Sequence, residues 1–197
     1  MPADTCEITR DDILSPEEYL TRRKDLKHRI IEIKKNRRIS VGPDASFYFE
    51  NYDTMWMQIQ EMLYIEKGGE QQIVDELSAY NPLVPKGREL VATMMFEIED
   101  ERRRAHELGR RGGAEHTVTL KFGDHIVAAV PEADVERTNA AGKTSAVHFF
   151  HFPFTDQQID AFRRSSDDAV LGFGHENYAH MAVIPKAVRA ALAGDFA

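Results

Sequence analysis

The sequence predicts an α+β fold, a mostly antiparallel sheet with packed helices, in which helices lead and strands follow. Two observations carry this. Apolar residues recur at helical spacing through most of the first 80 residues. From Leu90 onward the apolar period shortens, and glycine-containing turn signals separate short alternating runs.

Ser15-Pro16-Glu17-Glu18 opens the first helix. Serine at the cap, proline at the first helical position and glutamate three residues after the cap form a capping box. Tyr19, Leu26, Ile30 and Ile33 then make one apolar stripe on an otherwise charged rod that runs to about Arg37. So polar a helix needs a surface to lie on, either the body of its own chain or a twin subunit. A short strand Ile39–Val41, a Gly42-Pro43-Asp44 turn and an aromatic strand Ser46–Glu50 follow. A second helix starts between Asn51 and Thr54, pauses at Gly68-Gly69 and resumes over 70–80, where Asn81-Pro82 stops it.

Leu90–Ile98 reads as a strand and Asp100–Arg111 as a charged helix. His116–Phe122 and Ile126–Val130 form a hairpin about Gly123-Asp124, where glycine at the first central position fits a type II′ turn. Glu132–Lys143, polar and glycine-containing, reads as a flexible loop. Ser145–Phe152 is a strand, Thr155–Arg164 a helix capped by Thr155, Ala169–Phe173 a strand and Pro185–Leu192 a closing helix. The whole is expected to be one domain: a tail over 1–14, a basic amphipathic helix over 15–38 and an α+β body over 39–197.

The chain has 197 residues, 42% hydrophobic and 29% charged, which suits a single domain of this kind. One cysteine, Cys6, excludes an internal disulfide framework and a zinc site built on several thiolates. No apolar run is long enough to cross a bilayer, and the acidic, polar N-terminus reads against a secretory signal. A cytoplasmic location is expected. Net charge is −8, which disfavours wholesale binding to nucleic acid or membrane, yet residues 22–38 carry nine basic residues and two acids. That segment is either a solvated helix face docking an acidic surface, with Arg22, Arg23, Lys27, Lys34, Arg37 and Arg38 as partner-binding residues, or a phosphate strip for RNA or a nucleotide. No aromatic residue interrupts it between Tyr19 and Phe47, so the strip lacks a stacking platform for bases.

Common catalytic fingerprints are missing: there is no phosphate loop, no Gly-x-Gly-x-x-Gly, no nucleophile elbow and no His-Glu-x-x-His. The densest polar segment is the start of the second helix. Thr54, Gln58 and Glu61 share a helical face there, and with Glu50 and Asn51 they form a candidate pocket. The competing interpretation is a buried polar network that fixes the helix on the sheet. His148 and His151, three apart on a strand, point to opposite faces and cannot hold one ion together without a bulge. Either of them with Glu50 and Glu61 would suit iron, manganese or zinc. His175 and His180 are further candidates, though no spacing motif links any of the histidines.

Arg37-Arg38-Ile39-x-Val41-Gly42-Pro43, Phe49-Glu50-Asn51, Gln58-Ile59-Gln60-Glu61-Met62 and Tyr80-Asn81-Pro82-Leu83-Val84-Pro85 resemble an uncharacterised bacterial domain-of-unknown-function family. Val147–Phe152 and His175-x-Asn177-Tyr178 add to the resemblance, which spans about Ile8 to Phe196. It implies a single domain. Genes of such proteins often stand beside those for a rubrerythrin-like di-iron protein and an iron–sulfur oxidoreductase. The resemblance therefore implies an accessory role in redox or peroxide defence, with those proteins as partners, but no catalytic residues. Three functions follow as expectations: such an accessory protein, a metal-binding protein or enzyme using the Glu/Gln/His pocket, and an RNA- or nucleotide-binding module. The long amphipathic first helix also points to a homo-oligomer.

Overall fold

A computed structural model of the chain describes residues 6–132 and 144–197. The flexible loop expected over Glu132–Lys143 lies, from residue 133 on, outside the described residues. In chain order the elements are α1 (Pro16–Lys35), β1 (Arg38–Val41), β2 (Ala45–Glu50), α2 (Tyr52–Glu66), α3 (Gly69–Tyr80), β3 (Glu89–Phe96), α4 (Glu101–Arg110), β4 (Val118–Phe122), β5 (His125–Ala128), β6 (Val130–Pro131), β7 (Val147–Pro153), α5 (Asp156–Arg164), β8 (Ala169–Phe173), β9 (Met181–Val183) and α6 (Lys186–Ala193). The fold is α+β, and among the described residues every strand pairing is antiparallel.

Local chemistry sets the boundaries. Ser15 Oγ accepts from Glu18 N–H and the Glu18 carboxylate accepts from Ser15 N–H, so α1 begins where its capping box stands. At α2 the same reciprocal bonds join Asn51 and Thr54. The pause at Gly68-Gly69 is a complete break: Lys67 and Gly69 both take positive φ, and α3 starts afresh. In the β4–β5 hairpin Gly123 has φ +49° while Asp124 is not left-handed, as the type II′ turn requires.

The strands divide into two sheets, ordered β1-β2-β3-β7-β6 and β5-β4-β8-β9. Their inner faces meet in an aromatic core where Phe47 and Phe96 lie against Phe173, and Phe122 stacks on Phe154. The β5 strand passes through Ala129 into β6 and so joins the two sheets along one side. Period-two alternation reads identically for both sheets, so the division is set by pairing over long sequence distances.

The outer face of the five-stranded sheet is covered by α1, α2 and α3. There Val91 and Phe149 meet Tyr52, Met55, Ile59 and Leu83. Helix α1 lies antiparallel on α2 through the stripe of Tyr19, Leu26, Ile30 and Ile33. The described part of the segment taken as a tail belongs to this layer. Ile8 and Ile13 are buried, the Asn81 amide brackets the backbone of Ile8, and Trp56 Nε1–H donates to the carbonyl of Asp12 at 2.8 Å. Each buried isoleucine contributes on the order of 2 kcal/mol, enough to hold an extended segment against the helices. Among the described residues, no helix is long and apolar enough to cross a membrane.

Candidate functional site

The helix after the aromatic strand does turn polar groups inward, but in two directions. Strand alternation puts Phe47 and Phe49 into the sandwich and leaves Glu50 on the outer face beneath α2. Its carboxylate is 7% exposed and accepts from the hydroxyls of Thr54 and Thr93, each at 2.7 Å. Asn51 is spent on the cap of α2. Glu50, Asn51 and Thr54 therefore form a closed joint between sheet and helix.

Glu61 faces α1. Asp53, Met57 and Glu61, at i, i+4 and i+8, form the stripe of α2 that α1 covers. Arg23 grips the Glu61 carboxylate through Nε at 2.7 Å and Nη2 at 2.9 Å, Lys27 Nζ lies at 2.9 Å, and the Tyr19 hydroxyl donates to Oε1 at 2.5 Å. The Arg23 guanidinium, with help from Tyr19 and Lys27, holds the Glu61 carboxyl at about 2, well below the usual carboxylate range. Burial and the adjacent carboxylate push the Tyr19 phenol upward. Arg23 also covers the Tyr64 ring, 4.4 Å from its centroid. Gln58 is half-buried and joins neither group.

Glu50, Gln58 and Glu61 thus do not converge on one pocket, because Thr54 turns toward the sheet while Glu61 turns toward α1. The histidines are separate again. His148 is on the inner face of β7, stacked on Phe150 and hydrogen-bonded to Thr144. His151 is on the outer face, with Nδ1 2.9 Å from Glu89 and Nε2 3.5 Å from Glu132. Glu89 foremost raises the His151 pKa. The iron, manganese or zinc set drawn from Glu50, Glu61, His148 and His151 is not assembled, and among the described residues no three His, Cys, Asp or Glu side chains are grouped to hold a metal ion.

The basic segment is largely neutralised by the chain itself. Arg23 and Lys27 pair with Glu61, Arg29 with Asp53, Lys35 with Glu32, Arg37 with Asp195 and Arg38 with Glu97. Arg37 is buried, which takes it off any docking face. Arg22, Lys24 and Lys34 make no ion pair among the described residues. Lys24 and Lys34 flank the exposed Leu20 and Ile31, whereas Arg22 lies on the opposite flank of the helix. Leu20, Lys24, Lys27, His28 and Ile31 line a shallow groove along this outer side.

A cavity of about 600 Å³ lies on the other side of Leu20, where 13–16 crosses the end of α2 and the start of α3. Tyr19, Leu63, Tyr64 and Ile73 wall it, and Gln60 faces it from the middle of α2. Gln60 was no candidate on the sequence. The available signal was its place between Trp56 and Tyr64 at i, i+4 and i+8, an amide in an aromatic stripe.

A family model described as "Protein of unknown function (DUF3501)" matches residues 7–196. The chain belongs to this family. A crystal structure of a novel protein of unknown function from Burkholderia pseudomallei K96243 is similar throughout. It is 39% identical, with 96% of this chain and 99% of that chain covered and a TM-score of 0.88. No curated protein matches the chain. The solved relative shares the architecture of this chain, and both it and the family carry descriptions of unknown function.

Proposed function

We propose that this DUF3501 protein is a cytoplasmic accessory protein that docks an acidic partner through the outer flank of α1, in a rubrerythrin and iron–sulfur redox or peroxide-defence system. The observation that carries the reading is the split of α1 into two flanks. The inner flank is consumed by α2 and its ion pairs. The outer flank presents Leu20 and Ile31, 60% and 56% exposed, framed by Lys24 and Lys34, which no acid among the described residues neutralises. Apolar anchors ringed by cations complement an acidic surface: the charges steer the encounter and the anchors retain it.

Co-purification with the rubrerythrin-like and iron–sulfur proteins at low salt, lost at high salt, is the expected result. Lys24→Glu combined with Lys34→Glu should abolish it with the melting temperature unchanged, because neither lysine holds an ion pair among the described residues. No association at low salt, or one indifferent to this double charge reversal, would overturn the reading. Salt-insensitive self-association through Leu20 and Ile31 would also overturn it and give the face to a twin subunit.

A further inference from the structure

The outer face of the four-stranded sheet is bare, whereas that of the five-stranded sheet carries α1, α2 and α3. Strand pairing sets its side chains in two rows across β5-β4-β8-β9: Ala128-Thr119-Gly172-Met181 and Ile126-Lys121-Val170-Val183. Leu120, Val127 and Leu171 alternate with them and point into the sandwich core. The outer rows are mostly apolar, and Ile126, Met181 and Val183 are 60%, 71% and 55% exposed. Val130, also exposed, continues the stripe of Ile126 and Ala128 into β6. Gly172 keeps the face low: a Cβ there would stand 2.6 Å from Met181 Cγ, so the Met181 side chain lies across it. Outward residues of a sandwich sheet are ordinarily polar, and a contiguous apolar patch marks an interaction surface.

The face is complementary to itself. Two copies can be stacked with strands aligned and the two-fold axis running along the strands, midway between β4 and β8. That operation lays β5 of one protomer over β9 of its partner and β4 over β8. Ala128 and Gly172, the two smallest residues, then meet the partner's Met181 and the partner's Thr119. Ile126 meets the partner's Val183, and Lys121 the partner's Val170. Charge follows the same symmetry. Lys121 is the only cation in the two rows, and Asp168, exposed just ahead of β8, is in step with Val170 and Gly172. The partner's Asp168 lies two residues, about 7 Å, along the strand from the point opposite Lys121, within reach of its long side chain. Neither charge is ion-paired among the described residues: Arg189, close to Asp168, gives its N–H groups to the carbonyls of Phe162 and Asp167.

We infer that the outer face of the β5-β4-β8-β9 sheet is the contact with a second copy of this chain, with Lys121 of each protomer paired to the partner's Asp168. Apolar burial supplies the attraction, and the two ion pairs fix the register. Sedimentation equilibrium of the full chain tests this. The mean mass should rise reversibly from one chain towards two with concentration, and Met181→Glu should remain monomeric. Lys121→Asp or Asp168→Lys alone should weaken dimerisation by at least about tenfold, and the two combined should restore it with the signs exchanged. In a Cys6→Ser background, Ala128→Cys with Met181→Cys should give a covalent dimer on oxidation. The two positions are three strands, about 14 Å, apart within one chain, too far for an internal disulfide. A chain monomeric at millimolar concentration, a dimer that survives Met181→Glu, a charge exchange that restores nothing, or an oxidised cysteine pair that stays monomeric would each overturn the assignment. So would a dimer dissolved by Leu20→Glu with Ile31→Glu, which would place the contact on α1. Because α1 lies on the opposite side of the sandwich, partner docking through Lys24 and Lys34 stands or falls separately.

Discussion

Tyr19 on α1 and Glu61 on α2, 42 positions apart in the sequence, are joined by a hydrogen bond of 2.5 Å from the phenol to the carboxylate. Arg23 and Lys27 complete the grip from the next turns of α1. This one carboxylate therefore locks the basic helix to the body and at the same time orients the tyrosine that walls the cavity. A residue that reads as a metal ligand or a catalytic acid serves as the latch of the helical layer.

The latch should be pH-dependent. The native pKa of Glu61, about 2, lies below its ordinary value of 4.5, so its contribution is complete above pH 4.5 and is lost as the pH falls toward 2. Urea unfolding at pH 5 and pH 3 should show this loss in the wild type and a smaller one in Glu61→Gln. At neutral pH, Glu61→Ala should cost about 2 kcal/mol, since it leaves Arg23 and the Tyr19 hydroxyl without their acceptor.

Glu50 should behave as a structural joint. Glu50→Ala strands the buried hydroxyl of Thr93 and takes from Thr54 its carboxylate acceptor, and is expected to destabilise by about 2 kcal/mol in urea. Replacing Glu50 and Thr93 together with apolar residues (Glu50→Met, Thr93→Val) should recover much of that, because the Thr54 hydroxyl keeps its cap of α2 and can donate to the Asn51 carbonyl at 3.1 Å. Failure of the double variant to exceed Glu50→Ala in stability would show that the carboxylate itself is required.

The pair Arg37–Asp195 ties the strand after α1 to the C-terminal end of the described chain. Its N–O distance is 2.5 Å and both side chains are 7% exposed. Asp195→Ala should cost about 3–5 kcal/mol by leaving a buried guanidinium uncompensated. The double variant Arg37→Met, Asp195→Leu should lie closer to the wild type than Asp195→Ala alone. A thermal melt of the three proteins reads this directly.

His151 should titrate above its ordinary pKa of 6.5, chiefly because of its hydrogen bond to Glu89 and secondarily because of Glu132. A raised native pKa means that the protonated ring stabilises the fold. That contribution is full below pH 6.5 and is lost as the pH rises through the native value. Following the His151 ring by NMR, Glu89→Gln should bring the titration back toward 6.5. An unchanged midpoint would refute the pairing.

Short-range features were largely legible. The capping box at Ser15, the stripe of Tyr19, Leu26, Ile30 and Ile33, the Gly123 turn and the opposed faces of His148 and His151 all follow from neighbours a few residues apart, whereas the start of α2 was legible only to within Asn51–Thr54. Less legible were the burial of Ile8, which depends on an amide 73 positions away, and β9, three residues with two exposed side chains. The candidate site was legible as a polar segment and illegible as a geometry. Spacing places Thr54, Gln58 and Glu61 on one helical face, but a face about 100° wide can look partly at a sheet and partly at another helix.

What the chain determined alone is therefore most of the elements, the cap of α1 and its inner stripe, since these depend on backbone preferences and contacts within a few residues. Tertiary structure decided which carboxylate meets which partner: Glu50 two threonines, Glu61 a tyrosine and two cations, Asp195 an arginine. It also decided that Gln60 borders a cavity with its amide unpartnered. Such pairings join positions tens of residues apart through packing in three dimensions, and no local period encodes them.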